Sequence, residues 1–204
     1  MKNQITQIIL LIVPVLFSLS VHETCHGLAA YKLGDPTAKL AGRLTLNPLK
    51  HIDVIGLLVL FITRMIGWAK PVPVDPRNFK NPRKGMLWVA LAGPGSNMGL
   101  AVIFAIILKF VGPVLFTTLL YPIKMMIEIM VVINVGLAIF NLIPIPPLDG
   151  GRVMVGVLPE NMARSWAQIE PYGFVILLVL IFTRAVDYVV FPIILRIVNT
   201  LLMI

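Results

Sequence analysis

Val21-His22-Glu23-Thr24-Cys25-His26-Gly27 lies at the inner end of a long apolar run that begins near Ile5. On a helix, residues four apart stand one above the other, so His22 and His26 present two imidazoles to one metal ion from a single face. Glu23 sits beside them. This is the His-Glu-x-x-His arrangement in which two histidines hold zinc and the glutamate handles the protons of a water molecule.

The run around the motif decides the class of protein. Residues from about Ile5 to Leu33 are long and apolar enough to cross a bilayer as one helix, with Pro14 expected to kink it and Gly34-Asp35-Pro36 to end it. At a rise of ~1.5 Å per residue, His22 lies roughly 15 Å from that end, inside the hydrocarbon region. Two histidines and a glutamate at such depth are costly unless a metal or a water-filled cavity receives them. The apolar run leads straight into His22 and Glu23 without a small-residue cleavage site, so the helix is expected to be retained rather than removed as a signal peptide.

Composition agrees. With 58% hydrophobic and 13% charged residues among 204, and a mean hydropathy of +0.95, the chain reads as an integral membrane protein. A net charge of +8 raises the question of nucleic acid, but the basic residues lie between apolar runs with no aromatic-interleaved basic stripe, so no nucleic-acid partner is expected. They read as cytoplasmic anchors. The single cysteine, Cys25, fills the variable part of the motif and cannot form an internal disulfide.

Beyond Pro36, alternation between Ala38 and Leu46 with turn residues on both sides suggests a short strand or hairpin. His51 follows, a third histidine among polar neighbours, where a solvated or capping role outweighs ligation. Val54 to Met65 is apolar but too short for a full span, and Arg64 interrupts it before Gly67-Trp68. Lys32, Lys39, Arg43 and Lys50 precede it; Lys70, Arg77, Lys80, Arg83 and Lys84 follow it. Two basic loops on one side imply a re-entrant or interfacial segment. Gly85 to Val111 is the next span, carrying Ala92-Gly93-Pro94-Gly95-Ser96-Asn97. Its small residues suit close helix packing, and the amide of Asn97, embedded in the membrane, needs partners and supports either the site or the packing.

After a turn around Gly112-Pro113, a helix runs from about Tyr121 to Phe140, with Lys124 and Glu128 spaced to pair. It breaks at Asn141-Leu142-Ile143-Pro144-Ile145-Pro146-Pro147-Leu148-Asp149-Gly150-Gly151-Arg152, where prolines remove backbone donors and the irregular chain must face protein or water. The C-terminal stretch, Tyr172 to Ile204, forms either two short helices or one bent one.

Catalytic zinc takes three protein ligands and keeps a position open. The third ligand is open among His51, Glu128, Asp149, Glu160, Glu170 and Asp187. Asp149 stands out because the proline-rich break can bend the chain toward the first helix and Gly150-Gly151 permits close backbone approach. Asn141, at the other end of the break, offers an amide to a substrate carbonyl or oxyanion.

These stretches together resemble the site-2 protease family of intramembrane zinc metalloproteases, over about residues 5 to 155. The resemblance implies His22, His26 and Asp149 as zinc ligands, Glu23 as general base and Asn141 as the residue steadying substrate or transition state, and Ala92-Gly93-Pro94-Gly95-Ser96-Asn97 is similar to the family's small-residue and asparagine motif. It implies a minimal form without a PDZ or CBS domain: a single membrane-embedded protease domain over 1–204, with a core at 5–155 and C-terminal helices at 170–204. The expected fold is an α-helical polytopic membrane protein of about four to six transmembrane helices, with a short β-hairpin or re-entrant segment after the first. The expected activity is zinc-dependent hydrolysis of peptide bonds in transmembrane segments of membrane-protein substrates, as in regulated intramembrane proteolysis. The expected setting is the cell membrane, with the site opening toward the cytoplasm. A metal transporter using the same histidines and Asp149, which does not need a glutamate next to the first histidine, and a catalytically silent membrane binding protein that keeps the motif for structure are the competing classes.

Overall fold

The computed structural model describes residues 2–63, 68–112 and 120–203. Helix α1 runs from Lys2 to Lys32 with Pro14 inside it. Short α2 (Thr37–Leu40) and α3 (Val54–Thr63) follow, then two long helices, α4 (Pro82–Val111) and α5 (Tyr121–Asn141). The remaining chain forms α6 (Asp149–Val157), α7 (Glu160–Ala167), α8 (Glu170–Phe182) and α9 (Ala185–Met203). Four of the described helices are long and apolar enough to span a bilayer: Leu10–Lys32 of α1, α4, α5 and α9. The pair α7 and α8, bent by 68°, makes a fifth if counted as one broken span. The chain is an integral membrane protein, as its composition requires.

Helix α4 is the scaffold on which the rest is assembled, packing against α1, α5, α6 and α9. Asn81 accepts the Lys84 amide and Pro82 occupies the first turn, so the helix start is capped by side chain and ring together. Ala101 of α4, Val135 of α5 and Val198 of α9 form one buried cluster. At the other end, Ala30 of α1, Val89 of α4 and Phe79 of the preceding loop form a second.

The hairpin expected after α1 does not form. Among the described residues there is no strand, only an isolated antiparallel bridge between Ile52 and Ala69. Asp35 Oδ1 accepts the Thr37 amide at 3.0 Å, which starts α2. Gly42, at φ +65°, ends it: the Gly42 amide returns to the Lys39 carbonyl and the Arg43 amide to that of Ala38, at 3.0 and 2.9 Å. The would-be strand that follows spends an acceptor on side chains, since the Thr45 carbonyl receives Thr24 Oγ1 and His51 Nε2, each at 2.7 Å.

The described part of α3 has 10 residues, and the Ile52–Ala69 bridge ties together the chain before and after it. Arg64, Met65 and Gly67, which the sequence reading used, lie outside the described residues, as does Pro113. The C-terminal region resolves into two helices, broken at Arg184, whose φ is 58°. Lys124 and Glu128 pair along α5 at 3.5 Å.

Candidate active site

His22 and His26 lie on one face of α1, both buried. Their Nε2 atoms are 2.9 Å apart. Asp149 reaches them from the first turn of α6, with Oδ2 3.2 Å from each Nε2. These three groups can hold one metal ion. Tetrahedral zinc with ligands at about 2.0–2.1 Å places neighbouring ligand atoms about 3.3 Å apart, so the triangle has the size of one zinc face.

The protonation pattern follows from the partners. The Val89 carbonyl can only accept, so His26 Nδ1, 2.7 Å away, donates to it and leaves the Nε2 lone pair facing the triangle. The orientation of His22 is set from a carbonyl on α5. Met130 O accepts Asn134 Nδ2 at 2.8 Å, which turns Asn134 Oδ1 toward Asn97 Nδ2, also at 2.8 Å. That orients Asn97 Oδ1 toward His22 Nδ1 at 2.5 Å, so this nitrogen donates and Nε2 keeps its lone pair. Asn134 Nδ2 further donates to Ser18 Oγ at 2.8 Å. Ser18, Asn97 and Asn134 are fully buried and link α1, α4 and α5.

Two lone pairs and a carboxylate oxygen thus converge, and Asp149 Oδ2 is buried without a hydrogen-bond donor. Three acceptors with no proton between them call for a cation, which is the donor set of a divalent metal. The residues fit zinc.

Backbone clearance matters as much as the ligands. A Cβ on Gly93 of α4 would lie 2.6 Å from His22 Cε1 and 2.5 Å from His26 Cε1, so the imidazoles occupy space that any other residue would fill. A Cβ on Gly150 would overlap the Leu142 and Ile143 carbonyls, and one on Gly151 would sit 2.6 Å from Pro146 N. The proline-rich break therefore folds back on the start of α6, and this close approach carries Asp149 to α1.

Glu23 is half-buried, and its Oε2 accepts the Val72 amide at 2.9 Å. Asn141, at the end of α5, donates from Nδ2 to the Leu137 carbonyl of its own helix at 2.9 Å. His51 is buried away from the triangle, its ring bound to the Thr45 carbonyl.

Comparison with known proteins places the chain. Residues 112–183 match the family described as Peptidase family M50. The Bacillus subtilis protein named "Putative zinc metalloprotease YwhC" is 38% identical over 185 residues, 89% of this chain and 84% of that one. The chain belongs to peptidase family M50. This is the site-2 protease family that the motifs resemble. Proteins named "Putative zinc metalloprotease Rip2" are also similar. The one from Mycolicibacterium smegmatis is 32% identical, covering 88% of this chain and 69% of its own. The one from Mycobacterium tuberculosis is 29% identical, covering 81% and 63%. No solved structure matches the chain.

Sequence reasoning singled out Asn97 but not Asn134 or Ser18. Asn134 stands seven residues before Asn141 in an apolar helix, on the same face by period, and an amide embedded there was the available signal.

Proposed function

We propose that the chain is an intramembrane zinc metalloendopeptidase that hydrolyses peptide bonds within transmembrane segments of other membrane proteins, as in regulated intramembrane proteolysis. The observation that carries this reading is the convergence of His22 Nε2, His26 Nε2 and the donor-less Asp149 Oδ2 beside a glutamate, inside a helical membrane protein. Membership of a peptidase family favours hydrolysis over metal transport.

In this reading His22, His26 and Asp149 would hold zinc, with Asn97 and the Val89 carbonyl fixing the two imidazoles. Zinc supplies Lewis acidity, easing deprotonation of water and polarising the scissile carbonyl. Glu23 accepts the proton of the attacking water and delivers it to the leaving nitrogen. Asn141 steadies the substrate carbonyl as negative charge develops there. A substrate helix must open locally first, because its amides are internally bonded. The whole chain acts as one membrane-embedded unit. Its basic loops, flanking α3, lie on the cytoplasmic face of the cell membrane by the positive-inside tendency, and the site opens to that side.

The test is co-expression with candidate single-span membrane proteins, followed by cleavage with purified components. Removing metal with a chelator is expected to abolish cleavage and zinc to restore it. Cleavage that persists through complete demetallation contradicts the reading.

A further inference from the structure

Val72 is the middle residue of Pro71-Val72-Pro73, and its amide is the donor held by Glu23 Oε2. Proline has no N–H, so Val72 carries the one backbone donor of this tripeptide. Pro73 also confines Val72 to extended conformations, which sets the direction of that N–H.

The segment is fixed on both sides. The Lys70 amide donates to the His51 carbonyl at 2.8 Å, and the Lys70 carbonyl accepts Arg43 Nη2 at 2.7 Å. Ala69 pairs with Ile52 one residue earlier. Downstream, the Asp75 amide donates to Asp35 Oδ2 at 2.8 Å. Val72 itself is buried against α1 at Gly27, where a Cβ would lie 3.0 Å from Val72 Cγ1. Gly27 is four residues after Glu23, so the helix face that carries the glutamate is also the one that receives the loop.

We propose that Val72 is a positioning residue for peptide hydrolysis: its amide holds Oε2 of Glu23 and leaves Oε1 as the oxygen that handles protons. The proposal rests on Glu23 being the base. A charged acceptor bound to an anchored amide is restrained without needing a second side chain, and the flanking prolines remove competing donors.

The deciding experiment replaces Val72 in the full-length protein by the corresponding α-hydroxy acid, which keeps the side chain and removes the N–H. Cleavage of a single-span substrate gives kcat and KM, and zinc per chain is measured separately. The expected result is a kcat lower by about 10- to 100-fold, the effect of one charge-assisted hydrogen bond, with KM and zinc content unchanged. Val72→Ala keeps the N–H and trims only the side chain that packs on Gly27, so its loss of kcat is expected to be well below that of the ester variant. An ester variant with kcat equal to or above the parent overturns the proposal, the latter because the loop would then be restraining the enzyme. An equal kcat loss in Val72→Ala overturns it too, since the side chain would be responsible. Full activity in Glu23→Gln would instead remove the underlying assignment of the base.

Discussion

At the scale of single residues, the site depends on which atoms are forbidden to carry protons. His26 is fixed by a carbonyl, but His22 depends on Asn97, whose orientation depends in turn on Asn134. Replacing Asn97 by Leu removes the acceptor for His22 Nδ1, and zinc affinity is expected to fall about 10- to 100-fold, as for other groups that orient a ligand. Asn134→Leu is expected to cost less, because Asn97 Nδ2 retains the Ser18 carbonyl at 3.3 Å. Competitive zinc titration of both variants checks the order; equal affinity in Asn97→Leu and the parent would remove the orienting role. The three residues of the triangle were legible as candidate ligands because residue type and spacing carry metal chemistry directly, and Asp149 was singled out among the open acids by the prolines before it. The contact from Val72 to Glu23 was not legible, since a backbone amide leaves no trace in residue type.

At the scale of elements, α4 presents Gly93 to both imidazoles. Gly93→Ala puts a methyl into the rings, so one histidine must leave the triangle. Zinc per chain is expected to drop well below one while α4, where Ala is the better helix former, keeps its helicity. Circular dichroism together with metal analysis checks this, and full zinc occupancy in Gly93→Ala would contradict it. The long helices were readable because apolar length alone specifies a span. The segment after α1 was misread as a hairpin because alternation is a weak signal over a few residues. Asp35 and the left-handed Gly42 instead close a helical turn, and Thr24 and His51 claim the Thr45 carbonyl. The C-terminal break at Arg184 had no glycine or proline to announce it.

At the scale of the whole molecule, the segments between α1 and α4 are tied together by Asp35. Fully buried, it accepts from the Thr37 amide, from Thr37 Oγ1, from the Asp75 amide and from Asn78 Nδ2. Burial pushes its carboxyl upward, but these donors, Thr37 first, outweigh it and hold the group below its ordinary value. A depressed folded-state value means the stabilisation is present above about pH 4 and lost as pH falls through the folded value. Asp35→Asn is therefore expected to lower stability by about 2 kcal/mol at neutral pH, the worth of a hydrogen bond to a charged group. Its deficit should shrink as pH drops below about 4. Unfolding midpoints of the two proteins in detergent across that range check the sign, and a deficit that grows toward low pH would contradict it. How the helices cluster around α4 was not legible, because spans and charges specify how often a chain crosses a membrane but not which crossings touch.

In the proposed function Glu23 moves protons at a metal held by His22, His26 and Asp149. Purified full-length Glu23→Gln, assayed for zinc and for cleavage of a single-span substrate, tests it most directly. The expected result is the parent's zinc content with cleavage lower by at least about a hundredfold, in the range of lost general acid–base catalysis. Cleavage at the parent's rate would contradict it.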